Sequence, residues 1–344
     1  MDSGAANGRR PVPVMADVAR LAGVSEMTVS RVLNANPSVR PATRERVLAA
    51  MREFDYHPNP AARALVTGRT STIGVVTLDT TLYGPASTLF GLEQAARSAG
   101  YFVSIASVRA LTQGSISDAI ERLYRQGVEG VLVIAPHVSA QDALKAVPKK
   151  LPIVAVEAGT GGGLPVVAVD QVAGTRLAVE HLLDLGHRTV WHLAGPADWL
   201  EAQARERTWR KVLTQADAPI PAVLRGDWSA RSGYELGREL VRHVGVTAVF
   251  AANDHMALGL LRALSEAGRR VPEEISVVGF DDVPEAAYFI PPLTTVRQDF
   301  DELGKRGMAL LLAQIHSTDH QQARKRARIR PTLELRASTA PTRS

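Results

Sequence analysis

The stretch “ADVARLAGVSEMTVSRVLN”, residues 16–34, carries two short amphipathic patterns in succession. Val18, Leu21 and Ala22 share one face, then Val29, Val32 and Leu33 share another, each at the 3.6-residue period of a helix. Between them Gly23 is the small residue a tight turn needs, and Ser25 can cap the second pattern by accepting from its free N–H groups. The spacing predicts a helix-turn-helix. Its second helix would present Glu26, Met27, Thr28, Ser30 and Arg31 outward. Thr28 and Ser30 suit phosphates and Arg31 suits guanine or phosphate. Glu26 can accept from cytosine N4–H and Met27 can touch a thymine methyl. The competing reading, a plain helical hairpin in a core, conflicts with this exposed polar face.

The charge distribution points the same way. Residues 1–69 hold ten Arg against six Asp or Glu, or +4 of the formal +5, while residues 70–344 hold 30 basic against 29 acidic residues, or +1. A basic head on a near-neutral body suits a polyanionic partner. The chain has 344 residues and no cysteine, which predicts two or three domains and excludes disulfides, thiolate zinc sites and a cysteine nucleophile. The opening “MDSGAANGRRP” lacks an apolar signal region, and no apolar run approaches the ~18 residues of a membrane span, so a cytoplasmic, nucleoid-associated location is expected.

Residues 1–12 read as a disordered polar tail and 13–57 as one small helical domain. Its third helix holds Val47, Met51 and Phe54 at i, i+4 and i+7 and is opened by Pro41. From residue 73 onward, apolar strand-like runs alternate with helical segments: 73–78, 101–106, 130–134, 153–156, 166–169, 189–194, 248–252 and 276–280. Such runs predict parallel sheets covered on both faces, and their number predicts two α/β lobes. Ligands of such sheets bind at the carboxyl ends of the strands. Acidic groups recur there, at Asp79, Glu157, Asp170, Asp254 and the pair Asp281-Asp282. One of that pair is expected to cap the turn holding Pro284. No internal repeat is visible, and the basic run 321–330 reads as a solvated loop.

With “TRERVLAAMREFDYHPNPAARAL” following it, the opening stretch resembles the lactose/galactose repressor (LacI/GalR) family of bacterial transcriptional regulators. The resemblance continues through “GTRLAVEHLLDLGH”, “GDWSARSGYELG”, “AANDHMALGLLRAL” and “ISVVGFDDVPEAAYFIPPLTTVRQDF” to about residue 335. It implies an all-α helix-turn-helix head plus an α/β two-lobed effector domain, like type I periplasmic binding proteins. The domains are then 13–57 for DNA binding, 58–69 for a hinge helix and linker, and 70–344 for effector binding and dimerisation. Within the last, one lobe spans about 70–168 and 299–325, the other about 170–297 and 327–340, with three crossings. DNA contacts are implied at Ser25, Glu26, Met27, Thr28, Ser30, Arg31, Asn34, Arg40 and Asn59. Ala62 and Leu65 match the hinge face that enters the minor groove, where an apolar wedge kinks the duplex. Where family members often have a serine before the third helix, this chain has Arg40-Pro41, losing a cap and gaining a cation.

The resemblance also implies effector contacts. Arg205, Asn253 and Asp281 match the planar groups that grip sugar hydroxyls, and Trp228 and Phe300 match aromatic walls. Gln298 is a neighbouring polar contact, Leu82 and Pro85 an apolar entrance. Glu157 stands where a lactose-responsive member has an aspartate, and Glu201 where it has a serine. Read without the resemblance, Arg205 is one charge among Glu201, Glu206 and Arg207 on a helix, and Trp228 and Phe300 are core aromatics; His187 reads as structural. The expected protein is a homodimeric repressor, without the leucine-heptad tail of tetrameric members, released from a palindromic operator by a galactoside, glucoside or oligosaccharide. No cofactor, metal or membrane partner is expected. An enzyme is argued against by the missing P-loop, G-x-S-x-G and H-E-x-x-H. “GTGGG” at 159–163 lacks the dinucleotide spacing. A purine- or other corepressor-responsive regulator is the alternative, and a solute-binding protein conflicts with the helix-turn-helix.

Overall fold

The computed structural model describes residues 13–33, 36–57, 64, 68–78, 81–145, 151–159, 163–316 and 326–342. The chain divides into two compact units at Thr70.

In the first unit, α1 (Met15–Ala22), α2 (Glu26–Leu33) and α3 (Pro41–Glu53) enclose Val18, Ala19, Ala22, Val29, Val32, Val47 and Ala50. Gly23 ends α1 at φ 62°, a left-handed conformation that favours glycine, and turns the chain into α2. Ser25 Oγ accepts from Thr28 N–H at 3.3 Å, so the expected cap is present. Arg40 makes no side-chain cap, and Pro41 opens α3 instead. Leu21 departs from the expected core face: it is 45% exposed, because α1 is only eight residues long and Val18 and Ala22 fill its contact with α3. Asn34, Asn59, Ala62 and Leu65, the tail 1–12 and most of the expected hinge 58–69 lie outside the described residues.

The second unit contains two six-stranded sheets. The first runs β11-β5-β4-β3-β1-β2 and the second β12-β10-β9-β8-β6-β7. All eight strand-like runs are strands: β1 (Thr72–Thr77), β2 (Phe102–Ser107), β3 (Val131–Ile134), β4 (Ile153–Val156), β5 (Val166–Val169), β6 (Trp191–Ala194), β8 (Ala248–Ala251) and β9 (Ser276–Asp281). To them the structure adds β7 (Leu224–Arg225), β10 (Thr294–Arg297), β11 (Arg326–Ile329) and β12 (Thr332–Glu334). Every pairing is parallel except β10 with β12.

Helices cover both faces of each sheet, as near-continuous apolar strands require. The first lobe has α4 (Tyr83–Ser98) and α11 (Phe300–His316) on one face, α5 (Gln113–Arg125) and α6 (Val138–Lys145) on the other. The second has α7 (Gln171–Asp184) and α8 (Leu200–Gln215), then α9 (Ala230–Leu240) and α10 (Asp254–Glu266). Each fully buried Val, Leu or Ile contributes about 1.5–3 kcal/mol, so these layers hold the strand ends rigidly. Glycine sets one close approach: a Cβ on Gly304 would meet Gly91 O at 2.2 Å, so α11 lies against α4.

The chain crosses between lobes after β5, after β10 and between β11 and β12. Two readings need correction here. Residues 326–329 are an edge strand of the first sheet rather than a solvated loop, because their backbone pairs with β5 while the arginines project outward. The third crossing therefore falls after Ile329, not at residue 326.

Candidate functional site

At the carboxyl ends of both sheets lies a cavity of about 280 Å³. The first lobe contributes Leu82, Tyr83, Pro85 and Thr88 around the start of α4, Pro136 after β3 and Glu157 after β4. The second contributes Glu201 and Arg205 on α8, Trp199 just before it, Trp228 after β7, Asn253 after β8 and Asp281 ending β9. Gln298 and Phe300 flank the second crossing. All ten residues expected at an effector site from sequence line this one cavity. Tyr83, Trp199, Ser229 and His255 also line it and were missed, although Ser229 and His255 fall within the quoted stretches and Tyr83 adjoins Leu82.

Arg205 is the centre of a polar lattice. Its side chain is 2% exposed; Nε donates to Gln171 Oε1 at 2.9 Å and Nη1 donates to Ala252 O. Nη2 lies 4.0 Å from Asp281 Oδ1, and the guanidinium stacks 3.8 Å from the centre of the Phe280 ring. This environment rules out the solvated-helix reading of Arg205. Gln171 donates onward to Gln298 Oε1 at 3.1 Å, and Gln298 to Asp281 Oδ1 at 2.7 Å. Since Gln171 follows the first crossing and Gln298 the second, the lattice ties two interlobe connections to the cavity wall.

The aromatic wall is held as firmly. Trp228 sits at φ 74° with its indole over Gly195, where an added Cβ would lie 2.3 Å from the ring. It meets Trp199 edge to face at 5.8 Å, and Tyr83 meets Phe300 likewise at 5.9 Å. Asn253 is more occupied than expected of a sugar-gripping amide. Its oxygen caps α10 by accepting from Met256 N–H, and its nitrogen donates to Trp228 O at 3.0 Å. One N–H remains for a ligand.

The carboxylates are strained and poorly solvated. Glu157, Asp281 and Asp282 have φ of 55°, 117° and 56°, conformations that cost about 1–3 kcal/mol each outside glycine. Burial, with the neighbouring Glu201 charge, raises the Glu157 carboxyl well above its ordinary range. Burial pushes Asp281 up to about 7 against the opposing pull of Arg205, and raises Glu201 also. The expected cap at Asp281-Asp282 is absent. Asp282 instead binds Arg297 at 2.7 Å and Arg336 at 2.6 Å, and the carboxylate that receives Val283 N–H is the buried Asp254. His187 bonds Thr247 and Ser276, away from the cavity. Among the described residues no cluster could hold a metal, and no helix is long and apolar enough to cross a membrane.

In the helical unit, Ser25, Glu26, Met27, Arg31 and Arg40 are exposed and Thr28 and Ser30 half-buried. Met27 is 64% exposed at the head of α2. The Thr28 hydroxyl lies 3.0 Å from Ser25 Oγ, so cap and helix share one local network.

Two tightly connected α/β lobes around a cavity, with a separate helix-turn-helix unit, define a ligand-binding regulator of DNA. Residues 14–59 match the family described as bacterial regulatory proteins, lacI family, and residues 179–339 match a periplasmic binding protein-like domain. The lactose operon repressor of Escherichia coli (strain K12) is 38% identical over 299 residues, covering 86% of this chain and 83% of that one. The HTH-type transcriptional repressor PurR of Haemophilus influenzae (strain PittEE) is 33% identical over 330 residues, covering 94% and 97%. The crystal structure of the lac repressor dimer bound to operator and the anti-inducer ONPF superposes with a TM-score of 0.84 at 34% identity, over 96% of this chain and all of that one. The chain belongs to the lacI family: it is a DNA-binding transcriptional regulator and not an enzyme.

Proposed function

We propose that this regulator is a homodimeric repressor that leaves a palindromic operator when a saccharide fills the cavity between its lobes. The observation that carries the effector reading is the lattice around Arg205. A planar guanidinium, the Asp281 carboxylate and the Gln298 amide offer paired hydrogen-bonding edges for adjacent hydroxyls, while Trp228, Trp199 and Phe300 offer faces for C–H surfaces. A galactoside, glucoside or oligosaccharide has both kinds of surface.

The same lattice supplies a route for the response. A ligand held by Arg205 and Asp281 acts on the Gln171–Gln298 bond that joins two crossings. It thereby favours one arrangement of the lobes over another, which is all that effector control requires. In the DNA-binding half, Ser25, Thr28, Ser30, Arg31, Asn34, Arg40 and Asn59 grip the backbone or bases. Ala62 and Leu65 are the apolar side chains that enter the minor groove, and two copies match half-sites about one helical turn apart. Exposed Phe90, Phe102 and Ile290 give the body apolar surface for a second copy. The site of action is the nucleoid, in the cytoplasm.

The test is selection of operators by the purified full chain, repeated with a panel of neutral and amino sugars and with hypoxanthine. A palindrome whose occupancy falls with a saccharide is expected, and a response to hypoxanthine alone overturns the sugar reading. Glu26→Gln is expected to change base preference at one symmetric position per half-site, by about 1–3 kcal/mol. Equal weakening on every sequence would show that Glu26 reads no base.

A further inference from the structure

The charges around the cavity do not balance. Glu157, Glu201 and Asp281 line it, and Arg205 is the one Arg or Lys among the described lining residues. The guanidinium is already engaged by Gln171, the Ala252 carbonyl and, at 4.0 Å, Asp281, all on the second-lobe side. Glu157 and Glu201 both feel the Arg205 charge, but among the described residues neither is hydrogen-bonded to it or to another cation. They reach the same cavity from opposite lobes, Glu157 after β4 and Glu201 in the first turn of α8, and the Glu157 carboxyl feels the Glu201 charge.

Glu157 is fixed by a bond to its side chain, and Glu201 by the backbone of the turn that carries it. Glu157 is buried on left-handed backbone, and its Oε1 accepts from Val169 N–H at 2.8 Å. No hydrogen bond reaches its other oxygen among the described residues. The turn holding Glu201 is pinned to the first lobe, since Leu200 N–H donates to Pro136 O at 2.8 Å and Val138 N–H to Asp198 O at 2.9 Å. No described side chain hydrogen-bonds the Glu201 carboxylate. Two carboxyl groups brought into one largely dehydrated cavity are stabilised by a cation that both can reach. Among the described residues the donor set does not form a metal cluster, whereas Trp199 and Tyr83 in the same lining supply aromatic surface of the kind that favours an organic cation.

Resting on the saccharide-sensing reading above, we infer that the effector is an amino sugar whose ammonium group seats between Glu157 and Glu201. The ammonium's three N–H donors match the second Glu157 oxygen and the Glu201 carboxylate, which accept no hydrogen bond from a described residue. A neutral sugar brings no positive charge to the two carboxyl groups and gains no ion pair with them.

The test measures binding to the full chain by tryptophan fluorescence, using matched pairs: glucosamine against glucose, galactosamine against galactose, and the β-1,4-linked glucosamine disaccharide against cellobiose. At least one amino sugar is expected to bind about tenfold or more tightly than its neutral counterpart, as a charge-assisted hydrogen bond supplies. Glu157→Gln and Glu201→Gln are each expected to collapse that ratio towards one, with circular dichroism confirming that the variants fold. Neutral sugars that bind as well as their amino partners overturn the inference and leave saccharide sensing intact. A preference that survives both substitutions overturns the placement of the ammonium, and failure of every sugar to bind overturns both readings.

Discussion

The two walls of the cavity are built on different principles. On the second-lobe side, polar side chains have their positions set before any ligand arrives: Arg205 by Gln171 and Ala252, Asp281 by Gln298, Trp228 by Gly195 and Asn253. On the first-lobe side the wall is mostly apolar, with Leu82, Tyr83, Pro85 and Phe300 packed but not bonded into a network, and Glu157 the exception. The lattice supplies orientation and coupling to the crossings, while the apolar wall supplies contact area. Substitutions on the two sides should therefore differ in kind as well as in size.

The largest effect is expected at Arg205. Arg205→Ala leaves Asp281 buried without its cation and frees the Gln171–Gln298 link, so a stability loss of about 3–5 kcal/mol and loss of the effector response should appear together. Thermal melting and operator-release assays measure the two; a variant that melts normally and still responds would show that the lattice is not a unit.

Asp281 comes next, and its effect depends on pH. Its carboxyl, pushed up to about 7 in the folded protein, titrates near 3.9 when unfolded, so its contribution to stability is full below that lower value and is lost as pH rises towards 7. Asp281→Asn lacks this loss. The variant should gain on the parent protein by a few kcal/mol between pH 4 and 8. Parallel stability curves would mean that Asp281 is ionised throughout.

Gly195→Ala should cost about 1–3 kcal/mol and weaken effector binding roughly tenfold, because the new methyl collides with the Trp228 indole. Near-UV circular dichroism reports the displaced ring directly; an unchanged spectrum with normal affinity would show that the wall yields easily. The smallest effect belongs to the apolar side. Leu82→Ala should lower effector affinity by less than about tenfold and leave the melting temperature nearly unchanged, since Leu82 is half-buried at a cavity entrance. A large loss of stability there would erase the contrast between the walls.

Much of this organisation is legible without coordinates, for identifiable reasons. Most of the eight recognised strands announce themselves because burial on both faces demands runs of Val, Ile, Leu and Ala. Missed strands lack such runs: “LR” is two residues long, “RARI” carries exposed arginines on an edge, and “TTVR” is buried but opens with two threonines. The capping of α2 by Ser25 is local, within three residues of sequence, and was readable for that reason. The turn after β9 was misread because its capping carboxylate, Asp254, is 29 residues distant. The ten cavity residues came from motif likeness rather than from physics alone. Read singly, Arg205 is one charge on a charged helix.

The sequence by itself determined the class of each part. Helical period, turn glycine and charge asymmetry specify a helix-turn-helix head, and alternating strands and helices specify an α/β body, because these depend on neighbours within a few residues. Only the tertiary structure decided that the body contains the same strand order twice, with the last strand parallel in one sheet and antiparallel in the other, a likeness that leaves no visible repeat in the side chains. It alone decided that Arg205 is buried, that Gln171 and Gln298 join two crossings, and that Glu157 and Glu201 line one cavity. Those relations join residues from 34 to 127 positions apart, and a side chain's burial and charge environment are set by what the fold brings against it.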